Sequence, residues 1–195
     1  MRQTEINTAG AYMQPFNALA QMRQQQPQNA FAQYDTPQRN NALAAFGGPT
    51  NAAADAMDGG AAAVLDVAGK AIGLNEGSKK AALQEFLQNG GQNLDPAVTA
   101  WCAAFVDATL KQSGQSGTGK LNARSYLDWG NAVDEPQPGD VAVFSRGDPN
   151  GWQGHVGFFK GYNPDGTINV LGGNQGNSVS VRPYSTDRLL GFRRG

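Results

Sequence analysis

The chain has 195 residues, with 15 basic and 16 acidic side chains and a formal net charge of −1. No broad basic surface is expected from this balance, which argues against a nucleic-acid-binding protein. A single cysteine and a single histidine exclude an internal disulfide and are too few for a closed zinc site.

The N-terminal residues MRQTEINTAGAYMQPFNALA lack the basic start, apolar run and small-residue cleavage site of a secretory signal. The most apolar stretch, GGAAAVLDVAGKAIG, is short and is interrupted by Asp66 and Lys70, which argues against a membrane-spanning helix. We therefore expect a chain that is made in a cytoplasm without a signal peptide and is not inserted in a membrane.

Residues 1–70 form a low-complexity segment rich in Gln, Asn and Ala. Such a composition buries too little apolar surface to offset the entropy lost on ordering, so one interpretation is a disordered linker. The other interpretation is a docking segment whose apolar side chains fill pockets on a partner. The apolar side chains spaced along its later part are Phe31, Tyr34, Leu43 and Phe46.

From residue 71 to residue 195 the pattern is that of a globular domain. SKKAALQEFLQ carries apolar residues on one helical face, with Ser78 as a candidate N-cap. Asp95 and Pro96 are typical of a helix start, and they predict a second helix that begins between Pro96 and Ala100 and ends near Leu110. NARSYLDWG predicts a short third helix.

After EPQPGD, a turn in which Gly139 and Asp140 are expected to be structural, the pattern changes to period two. VAVFS, HVGFFKG, TINVLGG, SVSVRPY and LLGFRR then predict strands. Helices followed by a run of strands indicate the α+β class, with helices packed on one face of an antiparallel sheet of about five to six strands.

Cys102 lies in the second predicted helix, and two interpretations are open. A free cysteine is most often a small buried hydrophobic residue. A nucleophilic cysteine needs a lowered thiol pKa, which a helix N-terminus or a nearby imidazolium provides, and a histidine within hydrogen-bonding reach. The dipole assists Cys102 only if its helix starts late in the predicted range.

His155 opens the first strand of a hairpin that turns at NPDG. A two-residue turn between Asn163 and Gly166 would place His155 opposite Asn174, whereas a bulge at Gly166 would bring Gln175 there. Asn174 would share a face with Ile168 and Val170, the apolar pair expected to lie against the helices. Asn174 is therefore preferred as the group that orients His155, and Gln175 is the reserve.

Several motifs in order resemble one known family: WCAAFV, QPGDVAVFSRG, GHVGFF and VLGGNQGNSVSV. Together with AIGLNEG near residue 71, they resemble the CHAP domain (cysteine, histidine-dependent amidohydrolase/peptidase) within the NlpC-type papain-like peptidases. The likeness extends to a CHAP-like subfamily common in bacteriophage cell-wall hydrolases, and it implies the papain-like fold.

By this resemblance Cys102 is the nucleophile, His155 the general base and acid, and Asn174 the orienting residue. The implied substrate is peptidoglycan, cleaved within the stem peptide or at the bond between muramic acid and L-Ala. No metal and no other cofactor are expected. Trp101 and Trp152 flank the candidate catalytic residues, and each either binds substrate or packs in the core. Trp129 is expected in the core.

Two functions of different classes remain open at this point. The first is a cysteine peptidase or amidase of a phage virion, carried to the host cell wall by its particle and bound to phage structural proteins through residues 1–60. The second is a structural virion protein of the tail or portal region whose hydrolase-like domain serves mainly as a scaffold, since a fold alone does not establish activity.

Overall fold

The computed structural model describes residues 51–195, with side chains from residue 59 onward. The predicted docking anchors, from Phe31 to Phe46, lie outside the described residues. None of the helices in the described part of the chain has the length and apolar character needed to cross a membrane.

Within residues 51–195, three α-helices precede the sheet: α1 (Asn51–Lys70), α2 (Lys80–Asn89) and α3 (Cys102–Gln112). The helix predicted around residues 80–89 is confirmed, but Ser78 is not its N-cap. Lys79 occupies that position without a side-chain cap. The third predicted helix is a 3-10 helix, Ala123–Asp128, which Asn122 caps by accepting a hydrogen bond from the backbone of Arg124.

Helix α3 starts later than the sequence predicts. Asp95 caps a separate turn instead, because its carboxylate accepts a hydrogen bond from the backbone of Ala97 and its carbonyl accepts one from Thr99. Trp101 is the residue before the helix, and the first intrahelical bond runs from Phe105 N–H to the Trp101 carbonyl. Cys102 is therefore the first residue of α3.

Six strands form one antiparallel sheet in the order β1-β6-β2-β3-β4-β5. They are β1 (Asn131–Val133), β2 (Val141–Ser145), β3 (Gly154–Tyr162), β4 (Ile168–Gly172), β5 (Ser180–Tyr184) and β6 (Leu189–Arg194). The α+β class and the antiparallel sheet are confirmed. Strand β1 is not predicted by the sequence because its three residues are too short to show a period.

Both faces of the sheet are buried. On one face the helices pack on a cluster that includes Val143, Phe158 and Leu171. On the other face a second cluster consists of buried residues from β2, β3, β4 and β6: Ala142, Phe144, Phe159, Ile168, Val170 and Phe192. The expectation that Ile168 and Val170 lie against the helices is wrong. With apolar residues on both faces, alternation does not identify the face that the helices cover.

The β3–β4 hairpin contains two register changes. Gly166 adopts a left-handed conformation with φ 82°, and Asn163 pairs with Thr167, so the bulged turn is present. A second irregularity, between Phe159 and Gly161, shifts the pairing by one residue to the register of a two-residue turn. In that register Phe158 pairs with Leu171. Because β4 ends at Gly172, the ladder stops before either Asn174 or Gln175 can pair with His155.

The turn at Gly139 and Asp140 is structural, as predicted. Gly139 has φ 104° and donates its N–H to the carbonyl of Phe159. Asp140 is buried and accepts a hydrogen bond from the backbone of Gln137, and it forms an ion pair of 2.7 Å with Arg194 on β6. This pair joins the start of β2 to the end of the chain.

The second half of α1 also contributes to the core, since Val64 and Ala68 are buried in the helix-side cluster. Both residues precede the domain boundary predicted at residue 70. The position of that boundary stays a prediction.

Candidate active site

The sole cysteine and the sole histidine of the chain line one pocket of about 200 Å³. Cys102 enters it from the first position of α3, and His155 from the second residue of β3. The residues that line this pocket are Cys102, Arg146, His155, Asn174, Gln175, Gly176, Tyr184 and Arg188. We refer to them as the thiol pocket.

The first turn of α3 is held in place by contacts on both sides of Trp101. The Trp101 indole N–H donates to the Glu76 carboxylate at 2.6 Å. Gly173 packs so closely on the Trp101 ring that a Cβ at that position would lie 2.5 Å from it, so only glycine fits. These contacts fix the helix start against the loop that follows β4, which carries Asn174 and Gln175.

The environment of the Cys102 thiol has opposing effects on its acidity. Burial raises the pKa of Cys102, while the backbone N–H groups of Val156 and Ala103 and the charge of Arg146 favour the thiolate. Cys102 as a residue is 8% exposed, and it lines the pocket.

Burial has the reverse effect on His155. It lowers the His155 pKa to about 4, although contact with Gln175 raises it, and the charges of Arg146 and Arg188 lower it further. The ring stacks on Tyr184 from β5, with centroids 4.9 Å apart and planes within 3°. In the resting site the imidazole is thus neutral and fixed in orientation.

Gln175 is the residue that the structure places against His155. Its amide nitrogen donates to the backbone carbonyls of Val170 and Gly172 at 3.3 and 3.2 Å and to that of Ser180. Its oxygen and Nε2 of His155 are both buried and lack any other partner among the described residues. The two atoms face each other without the alignment of a good hydrogen bond, and the anchored amide presents only its oxygen to the ring.

Asn174, the preferred candidate of the sequence, lines the same pocket but occupies a different position. It follows the end of β4 in a left-handed conformation with φ 56°, which asparagine tolerates better than most residues. Alternation along a strand places Asn174 only if the strand continues through residue 174. Since β4 ends at Gly172, alternation places neither amide.

Three pocket residues are missed by the sequence analysis: Arg146, Tyr184 and Arg188. Arg188 donates from Nε and Nη2 to the carbonyl of Ser145 at 3.0 and 2.9 Å and lies over the Tyr184 ring. Burial raises the pKa of Tyr184 to about 12, so its hydroxyl stays neutral. Of the residues that the structure describes, no acidic side chain lines the thiol pocket, and its arginines make it electropositive.

The tryptophans separate into core and surface positions. Trp101 is fully buried, packs edge-on against Phe105 and lines neither pocket, so substrate binding by its side chain is not supported and the core interpretation holds. Trp129 packs against the helix-side cluster, as expected. Trp152 is 75% exposed, in the loop between β2 and β3, and its predicted contact with substrate is untested.

A larger open groove of about 780 Å³ adjoins the thiol pocket. Gly176 lines both, so they are neighbouring parts of one surface. The residues that line the groove include Ile72, Glu76, Ala97, Asn177, Ser178 and Ser180. Among the described residues, no group of three or more His, Cys, Asp or Glu side chains is arranged to hold a metal ion.

Comparison with protein families identifies this region. The family model described as the CHAP domain matches residues 94–174, a segment that begins before α3 and ends at Asn174. The chain contains a CHAP domain. The match includes both Cys102 and His155, and the domain is of the papain-like peptidase type that the sequence motifs resemble.

A CHAP domain indicates hydrolysis of peptidoglycan by an enzyme of the cysteine peptidase or amidase kind. No curated protein matches the chain. The family match stops one residue before Gln175, so the CHAP model covers the preferred orienting residue of the sequence analysis but not the one that contacts His155.

Proposed function

We propose that the chain cleaves an amide bond of peptidoglycan, with Cys102 as the nucleophile and His155 as the general base and acid. The supporting observation is that the only cysteine and the only histidine, from a helix start and a strand start, line one pocket. A thiol and an imidazole converging in a cleft form the pair that nucleophilic amide hydrolysis requires.

The reaction would proceed through a thioester. His155 accepts the proton of the Cys102 thiol as the sulfur attacks the amide carbon. When the tetrahedral intermediate collapses, the C–N bond breaks and the imidazolium gives this proton to the leaving amine. Water then attacks the thioester with His155 as base, the C–S bond breaks, and a carboxylate and the free thiol result.

The environment of the pair favours a neutral resting state. Since burial raises the pKa of Cys102 and lowers that of His155, a thiolate–imidazolium pair is disfavoured before substrate binds. Proton transfer then accompanies attack. The N–H groups in the first turn of α3 have no acceptor within the helix, and that of Cys102 is the natural donor to the oxyanion.

An amide in the 174–175 loop would orient the imidazole. Gln175 is the better candidate, because its nitrogen is anchored on three backbone carbonyls while its oxygen faces Nε2 of His155. This leaves Nδ1 for the thiol. Asn174, which lines the same pocket, is the alternative.

The groove of about 780 Å³ beside the thiol pocket would receive the chain of the substrate. Its polar, mostly uncharged border suits a peptide or a glycan. The exposed Trp152, in the loop that leads into β3, would add a stacking surface. Either the stem peptide or the bond between muramic acid and L-Ala would be cut.

The biological setting is part of the same proposal. The protein would be carried in a phage virion, at the tail or inside the particle, and would act at the host cell wall. Residues 1–60 would bind phage structural proteins. The support for this is the composition of residues 1–70 and the likeness of the motifs to phage cell-wall hydrolases.

A zymogram against purified sacculi tests the activity. The wild-type protein is expected to produce a clearing zone, and Cys102→Ala, compared at equal folded concentration by circular dichroism, is expected to produce none. Equal clearing by both proteins would exclude a cysteine enzyme, and no clearing by either would favour the structural virion protein.

A further inference from the structure

We propose that Arg146 binds a carboxylate that the substrate carries next to the scissile amide, and that it thereby determines specificity. This inference rests on the proposed amide hydrolysis and names the chemical class of its substrate: a peptide with a free carboxylate close to the bond that is cut.

The position of Arg146 relative to the reacting groups is the first support. It follows β2 directly and lines the thiol pocket together with Cys102 and His155. Its charge favours the Cys102 thiolate and disfavours the His155 imidazolium, in agreement with a guanidinium in the same pocket. A group bound to Arg146 would therefore lie next to the amide under attack.

The second support is that this guanidinium is uncommitted. Among the described residues, the Arg146 side chain makes no hydrogen bond and no ion pair, and only its backbone N–H is used, by the carbonyl of Gln153 at 3.2 Å. Arg188, the other arginine of the pocket, donates instead to the carbonyl of Ser145. Arg146 is thus the cation available to a ligand.

The third support is the rigidity of the segment that carries Arg146. Arg124 donates from Nε to the carbonyl of Gln153 at 2.9 Å and from Nη2 to those of Asp148 and Pro149 at 3.3 and 2.9 Å. These bonds tie the loop between β2 and β3 to the short 3-10 helix. A guanidinium on a braced loop is suited to bidentate recognition of a carboxylate.

The charge of the pocket agrees with this ligand. Arg146 and Arg188 are the charged side chains that line it, and no aspartate or glutamate from residues 51–195 does so. A cationic ligand would be repelled and a neutral one would leave the guanidinium unpaired. A carboxylate would be attracted and would find two donors in one plane.

Alkylation of Cys102 tests the carboxylate site without any substrate. Iodoacetate and iodoacetamide differ in carrying a carboxylate or an amide, and with each the thiolate forms a C–S bond as iodide leaves. Because both reagents need the same thiolate, the ratio of their rates cancels any change in thiol pKa. As the chain has one cysteine, no other thiol reacts.

We expect the iodoacetate-to-iodoacetamide rate ratio to fall about tenfold in Arg146→Gln, the loss of one charge-assisted contact. Arg146→Lys should retain part of the preference. Lys160→Gln, which removes an exposed cation outside both pockets, should leave the ratio unchanged. A ratio that is the same in wild-type and Arg146→Gln protein would overturn the proposal.

A second arm uses sacculi whose amines are acetylated and whose carboxylates are left free or converted to amides with carbodiimide and ammonium chloride. Wild-type protein should release new amines faster from the free-carboxylate sacculi, and Arg146→Gln should lose that preference. Equal rates on both sacculi with wild-type protein would overturn the substrate assignment. Cleavage of neither would instead refute amide hydrolysis, while the alkylation ratio would still decide the carboxylate site.

Discussion

At the scale of single residues, burial of His155 links the site to the stability of the fold. Its folded pKa is about 4, whereas an unfolded histidine titrates near 6.5. The unfolded state therefore binds the proton first as the pH falls, and this difference lowers stability between these two values. His155 is the only histidine, so the effect belongs to one group.

We predict that the free energy of unfolding falls by about 2 kcal/mol between roughly pH 6.5 and pH 5 because of His155. Urea denaturation at each pH measures this dependence. In His155→Gln the free energy of unfolding should change little over the same pH interval, because carboxylates with ordinary pKa values titrate mainly below it. If the free energy of unfolding depends on pH in the same way in both proteins, His155 is not buried in its neutral form.

The two adjacent amides can be distinguished by substitution. Gln175→Met keeps the volume but removes the oxygen that faces His155, and we expect the rate of sacculus hydrolysis to fall by at least about tenfold. Since contact with Gln175 raises the His155 pKa, the acid limb of the pH–rate profile should also move to lower pH. A purely structural effect would not shift that limb.

The matched control is Asn174→Gly, which accommodates the φ of 56° at that position. It should hydrolyse sacculi within a few-fold of the wild-type rate, with an unchanged pH profile. If Asn174→Gly shows the larger loss and the shifted limb, Asn174 is the orienting residue and Gln175 is an anchor of the loop.

Single residues also mark what the sequence could and could not predict. Cys102 and His155 are unique in the chain, and the chemistry of a thiol and an imidazole is enough to pair them. Arg146, Tyr184 and Arg188 belong to segments far apart in sequence, and nothing in their local patterns distinguishes them from other surface residues. Only the sheet order brings them to the thiol pocket.

At the scale of elements, helix α3 shows that a local signal for a helix start can be overridden by a distant contact. Asp95 followed by Pro96 is a valid start for a helix, but these residues cap a short turn of their own. The buried Trp101, held by Glu76, then lets the helix begin at Cys102. That contact spans distant residues, so no local pattern contains it. The late start brings the thiol to the first turn, where the helix dipole favours the thiolate.

The β3–β4 hairpin shows a second limit. The turn at NPDG and the two strands were predicted from turn chemistry and alternation, and both strands are present. Two bulges cancel each other in register, and β4 ends just before Gly173, which packs against the ring of the distant Trp101. Counting cross-strand pairs outward from the turn could therefore not decide whether Asn174 or Gln175 lies next to His155.

At the scale of the molecule, the α+β architecture follows from the order of helical and strand patterns, and the structure confirms it. The extent of the domain is less evident from sequence. Helix α1 lies in the Ala-rich segment, yet its Val64 and Ala68 are buried with the helices and the sheet. Alanine and glycine give a weak apolar pattern even where they pack closely.

Truncation tests both the domain boundary and the docking segment. Deleting residues 1–60 retains Val64 and Ala68, so we expect unchanged sacculus hydrolysis but loss of incorporation into virions. Deleting residues 1–70 removes both side chains and should lower the free energy of unfolding by about 3 kcal/mol relative to the shorter deletion. Normal incorporation of the first variant would refute docking, and equal stability of the two variants would place the boundary at residue 70.

The proposed function requires that the pair formed by Cys102 and His155 hydrolyses an amide of the cell wall. The most direct measurement is the chemistry of the ends produced when the protein digests purified sacculi. New primary amines should appear in step with loss of turbidity, without new reducing sugars, and Cys102→Ala should produce neither change. Reducing ends without new amines, or amines released equally by Cys102→Ala, would contradict the account.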